Sequence, residues 1–187
     1  MTPSEHAAHL DVEGLQQPMT ATSQRDQAIR FAKTDPRRAL LKARSISESW
    51  FRAQALAAVA RFTDAAPEPI AAEAAKAAAA GDDDYQRSAV RAWEIAALGE
   101  RQCHEKAKQA LRDALITAQQ IKQSSSRSEA FLLLMQAAFT IDRDTAANVS
   151  AQLAQFCPTS DHWRCKRAAT HATQMLEGKL EPRKFFW

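Results

Sequence analysis

Apolar residues recur at helical intervals along most of this chain. Ala39, Ala43, Ile46 and Trp50 stand four, three and four residues apart, one face of a helix, and Asp35-Pro36 supplies an N-cap and a first-turn proline ahead of them. Phe51, Ala55, Val59 and Phe62 repeat the pattern almost without a break. A second pair of runs reads Ile70, Ala74 and Ala77 and then Tyr85, Ala89, Trp93 and Ala96, separated by Gly81 and three aspartates. A third joins Ala107, Leu111, Ala114, Ala118 and Ile121 to Phe131, Leu134 and Ala138 across Ser124, Ser125 and Ser126. The fourth joins Val149, Leu153 and Phe156 to Cys165, Ala168, Ala172 and Met175 across residues 158–161. Connections this short force consecutive helices antiparallel, so the pattern predicts about four helical hairpins in series. One extra helix is predicted ahead of them, over residues 23–34.

The hairpins share a local signature. An arginine followed by a small residue opens each second helix: Arg52-Ala53, Arg87-Ser88, Arg127-Ser128 and Arg164-Cys165, spaced 35, 40 and 37 residues apart. An aromatic residue precedes three of the four (Trp50 and Phe51, Tyr85, Trp163). A period of that size indicates stacked helical repeats, in which no single hairpin buries its apolar face alone. The predicted fold is all-α, a right-handed α-solenoid of about four antiparallel hairpins. The expected organisation is a flexible arm at 1–22, a repeat domain at 23–177, and a basic, aromatic tail at 178–187.

The stretch Gly81-Asp82-Asp83-Asp84-Tyr85-Gln86-Arg87-Ser88-Ala89-Val90 resembles the turn of a HEAT-type repeat, in which an aspartate and a following arginine bracket the start of the second helix. The likeness spans residues 35–176. It is partial around Arg52 and Arg164, and weak around Arg127, where serines replace the acid. Tetratricopeptide repeats have a similar period, but their Trp, Gly and Pro positions are not matched. The resemblance implies a HEAT/TPR-like superhelix and a scaffold that binds another protein or a peptide.

Composition narrows the chemistry. Alanine fills roughly a fifth of the 187 positions while tyrosine occurs once, a balance that favours helix over sheet. The four glycines, Gly14, Gly81, Gly99 and Gly178, stand far apart, which excludes a Gly-rich phosphate loop and a dinucleotide fingerprint. The net charge is only +3, from 25 Lys and Arg against 22 Asp and Glu. It is unevenly spread, with nine cations against three acids over residues 23–62 and six acids against one cation over 63–84. Three cysteines without a secretory signature fit a reducing cytoplasm, and no apolar run reaches the roughly 20 residues of a membrane span.

No catalytic set and no cofactor motif emerges, so the expected function is a non-catalytic interaction scaffold. By analogy with solenoids, the exposed face of the second helices, marked by Arg91, Glu94, Gln136, Arg167 and His171, is the expected partner surface. The alternative is nucleic-acid binding through a basic stripe in the first repeat, with Arg37, Arg38, Lys42 and Arg44 as phosphate contacts.

The repeated arginines read either as a ladder of anion-binding groups or, preferably, as ties to their own inter-helix turns. Cys157, His162 and Cys165 form a C-x4-H-x2-C cluster that lacks a fourth zinc ligand, so no metal is assigned. Phe185, Phe186 and Trp187 beside two cations read equally as a docking tail for a partner and as a strap on the last hairpin. Repeats without clearly polar caps also allow end-to-end stacking into a homodimer.

Overall fold

The structure is a computed structural model that describes residues 19–157 and 160–186, among which no strand occurs. The elements are α1 (Ala21–Ala32), α2 (Pro36–Arg44), α3 (Ser49–Phe62), α4 (Glu68–Ala79), α5 (Asp84–Ala89), α6 (Arg91–Glu100), α7 (His104–Gln119), α8 (Ser124–Ala138), α9 (Arg143–Phe156) and α10 (Trp163–Leu176). The arm expected at 1–22 lies outside the described residues up to position 18, and its last residues belong to α1. There the Thr20 hydroxyl accepts the Ser23 amide, so the helix starts at Ala21 rather than Ser23.

Other boundaries follow from side chains competing for the same backbone groups. Asp35, Asp83 and Asp142 cap α2, α5 and α9 by accepting the amides of Arg38, Gln86 and Thr145. Three expectations are corrected. The run from Ala39 to Trp50 is not one helical face, because α2 ends at Arg44, Ile46 lies in the link and Trp50 lies in the first turn of α3. Ser124, Ser125 and Ser126 do not link helices but form the first turn of α8, with Ser125 and Ser128 buried. The run from Tyr85 to Ala96 is also not one helix, because it breaks at Val90. Ser88, fully buried, turns its hydroxyl back onto the Asp84 carbonyl at 2.6 Å, a bond of the kind that bends helices.

The helices pack in two layers. In one, α1 packs on α3, α3 on α6, α6 on α8 and α8 on α10. In the other, α2, α4, α7 and α9 lie against α1, α3, α6 and α8. The outer helices are tied across by polar contacts, Arg44 of α2 to Glu73 of α4 and Gln119 of α7 to Gln152 of α9. Alanine makes the inner layer tight. Helix α3 is buried continuously from Ala53 to Ala60, and in α6 Gly99 lies so close to Thr140 that a Cβ would meet its Oγ1 at 2.1 Å.

The small residue after each repeated arginine sits in this contact layer. Ala53 is 2% exposed and Ser88, Ser128 and Cys165 are 0% exposed, so nothing larger fits where the second helices enter the core.

A cationic, aromatic groove under the C-terminal tail

The four arginines divide by role. Arg52 Nη1 donates to the Ile46 carbonyl at 3.2 Å, and Arg87 Nε donates to the Gly81 carbonyl at 2.9 Å, each bonding the turn six residues back. Arg127 instead stacks on Phe156 of α9 at 4.9 Å, and Arg164 lies exposed over Trp163 at 5.5 Å.

The partner surface expected from sequence is not gathered in one place. Arg91 and Glu94 bond each other at 2.8 and 3.1 Å and border a groove between α4, α6 and α7, near Asp113. Glu94 is 5% exposed, and burial pushes its carboxyl above the usual range against the pull of Arg91. Arg167 is bonded to Glu129 of α8, and His171 is half-buried on α10. Gln136 meets the chain's own C-terminal segment: its Oε1 accepts the Arg183 amide at 3.1 Å.

That bond belongs to the tail, whose path the sequence did not reveal. Gly178, at φ 72°, ends α10 in a left-handed turn. Its amide bonds the Met175 carbonyl while the Lys179 amide bonds that of Gln174, the pairing of a Schellman cap. The chain is thereby turned back along the inner layer. It does not strap the last hairpin. Phe185, 3% exposed, packs nearly perpendicular to Trp93 on α6 at 5.3 Å, and Phe186 meets Phe62 on α3 at 6.2 Å. The remaining aromatic of the tail, Trp187, lies outside the described residues.

Between the tail and helices α1, α3, α5 and α6 lies a groove of about 800 Å³. One wall is aromatic: Trp50 stacks on Tyr85 at 6.0 Å with 15° between the rings, and Trp93 stands at 69° to Trp50 with centroids 6.1 Å apart. Burial pushes the Tyr85 hydroxyl upward. The opposite wall is one face of α1, where Arg25, Ile29 and Lys33 recur every four residues beside Asp26 and Arg30. Arg25 donates to Asp26 Oδ1 at 2.9 and 2.7 Å and to Gln54 Oε1 at 3.0 Å. Arg183 lies over Trp93 at 5.0 Å, and partial burial, then the nearby Arg25, lower its affinity for its proton. The sequence pattern sets Trp50 in the run from Ala39 and does not single out Gln54. Their meeting with α1 and the tail needed the fold.

The remaining candidates are placed as follows. Cys157 and Cys165 adjoin, surrounded by Ser124, Ser128 and Ser160. Burial and then Cys165 push the Cys157 thiol up to about 11. Burial also opposes ionisation of Cys165, but the three serine hydroxyls and Cys157 outweigh it and hold that thiol below its ordinary value. His162 is exposed, where its Nδ1 accepts the Arg164 amide at 3.2 Å. Among the described residues no three His, Cys, Asp or Glu side chains are placed to hold a metal ion. In the basic stripe, Arg44 is bonded to Glu73 at 2.6 and 2.8 Å and Arg38 lies 4.0 Å over Phe31, while Arg37 is exposed and Lys42 half-buried. No helix among the described residues is long and apolar enough to cross a membrane.

Fold and groove together define an all-helical protein of two packed layers with an extended tail across one of them. Comparison with protein-family models, curated proteins and solved structures finds no match to the chain.

Proposed function

We propose that this chain is a non-catalytic scaffold of the cytoplasm, a right-handed α-solenoid of HEAT-like or TPR-like hairpins. It holds another protein or a peptide across the layer formed by α1, α3, α6, α8 and α10. One observation carries the reading: an extended segment, the chain's own tail, already lies on that layer, seated by Phe185 and Phe186 and by the main-chain bond of Arg183 to Gln136. A surface that accepts one extended segment through aromatic pockets and side-chain amides has what a peptide partner requires. The nucleic-acid reading has less support, since Arg44 is bonded to Glu73 and Arg38 is stacked on Phe31.

Co-purification from native lysate at low and high salt, with nuclease in one arm, tests the proposal. A discrete protein retained through salt and nuclease, and lost when Leu133→Glu charges the inner layer, is the expected result. Loss of all bound material under either treatment refutes it, because phosphate contacts are stripped by salt while apolar contacts survive.

A further inference from the structure

We propose that the groove between α1, α3, α5, α6 and the tail is a binding site for a small aromatic anion, a planar ring carrying a carboxylate or a phosphate. The groove shares the inner layer, Leu133 included, with the scaffold reading but is tested apart from it.

Its size comes first. About 800 Å³ lies within the range of small-molecule sites. Flatness comes second. Trp50, Tyr85 and Trp93 line the groove, the first two within 15° of parallel and the third at 69° to Trp50, and such aromatic walls favour an offset-stacked or edge-on ring over an aliphatic chain.

Charge is the third observation. Arg25, Arg30, Lys33 and Arg183 border the groove with Asp26 as the one carboxylate among its described lining residues. That carboxylate is already taken by Arg25. The Arg183 guanidinium has rings beneath it, and no carboxylate of the described residues lies within ion-pair distance. A cation placed against apolar rings and another guanidinium gains most from an anion delivered by a ligand.

The fourth observation is Gln54, 4% exposed at the groove wall. Its Oε1 accepts from Arg25, whereas its Nε2 makes no hydrogen bond to a described residue. That amide is open to the groove, where it offers a hydrogen-bond donor to an acceptor on the ligand. Ring, anion and acceptor together specify the class of ligand.

Isothermal titration calorimetry on the full chain tests this with two matched pairs of probes: indole-3-acetate against indole-3-acetamide, and adenosine 5′-monophosphate against adenosine. At least one anionic probe is expected to bind about tenfold or more tighter than its neutral partner. Which pair shows the preference separates a carboxylate ligand from a phosphate one. Arg183→Gln is expected to remove the preference, and Trp50→Leu to weaken both members of the pair. Because Trp50 also packs against the core, Arg183→Gln with Arg30→Gln, both at exposed positions, decides the matter if Trp50→Leu fails to fold. The proposal falls if neither anionic probe binds, if charged and neutral probes bind alike, or if the preference survives the double arginine variant. The scaffold reading is untouched by those outcomes, since co-purification tests it separately.

Discussion

Replacing Phe185 with alanine tests whether the tail is part of the folded structure. Phe185 is 3% exposed, so the change removes nearly a full phenyl ring from contact with Trp93 and its surroundings. Burial of such a ring contributes about 2 kcal/mol, and its edge-to-face pairing with Trp93 adds about 1 kcal/mol. The sum, about 3 kcal/mol, is an upper bound. A core phenylalanine leaves a cavity when truncated, but a terminal segment can detach, so the loss cannot exceed the free energy of docking the tail. The expected loss is therefore about 1 to 3 kcal/mol, or a fall in Tm of roughly 3 to 10 °C for a chain of this size. Urea titration followed by tryptophan emission reads the loss, and hydrogen exchange reads the tail directly through the Arg183 amide bonded to Gln136. An unchanged midpoint together with unchanged protection at Arg183 would refute the reasoning, because the ring would then be making no contact worth breaking.

Four further outcomes are expected. Gly178→Ala costs about 1 kcal/mol or slightly more by calorimetry, entirely through φ 72°, since a Cβ there has open space and meets nothing within 4 Å. Gly99→Ala, by contrast, destabilises by about 2 kcal/mol or more because its Cβ collides with Thr140, and a drop in Tm smaller than that of Gly178→Ala would contradict the close approach of α6 to the end of α8. Asp142, hydrogen-bonded by Thr145 and then Lys108, has its carboxyl held down to about 2, so its contribution is present above the unfolded value near 4 and is lost as pH falls from about 4 to 2. The residue is partly exposed, so about 1 kcal/mol of capping is at stake, and Asp142→Asn should flatten that limb of the stability curve. Glu94 runs the other way: burial raises its pKa, the folded state favours the protonated form, and stability is lost as pH rises above the ordinary glutamate value, so Glu94→Gln should stabilise at neutral pH relative to pH 4.

The helical period set the elements before any coordinates. Ala39 and Ala43 on α2, Ala107, Leu111 and Ala114 on α7, and Val149 and Leu153 on α9 are all buried, because a 3.6-residue repeat of apolar side chains leaves a helix one way to face its neighbours. The arginine and small residue at each second helix were also legible, since Ala53, Ser88, Ser128 and Cys165 occupy positions where helices approach too closely for larger side chains. Local sequence determined these features because each depends on residues within one or two turns. The break at Val90 was less visible; beside it the Ser88 hydroxyl bonds the Asp84 carbonyl.

The groove was decided by tertiary structure alone. Arg25 meets Gln54 across 29 residues, and Arg183 reaches Gln136 across 47, separations over which spacing rules carry no information. The same holds for the expected partner surface. Arg91 and Glu94 lie on the helix expected to carry it, yet α6 is covered on several sides, and its rotation turns that pair toward α4 and α7 while Trp93 faces the tail. A basic and aromatic tail can be read from sequence as adhesive. What it adheres to is set by Gly178, whose left-handed turn sends the chain back over the inner helices, and by Trp93 and Phe62, whose rings the packing of α3 against α6 leaves open to receive it.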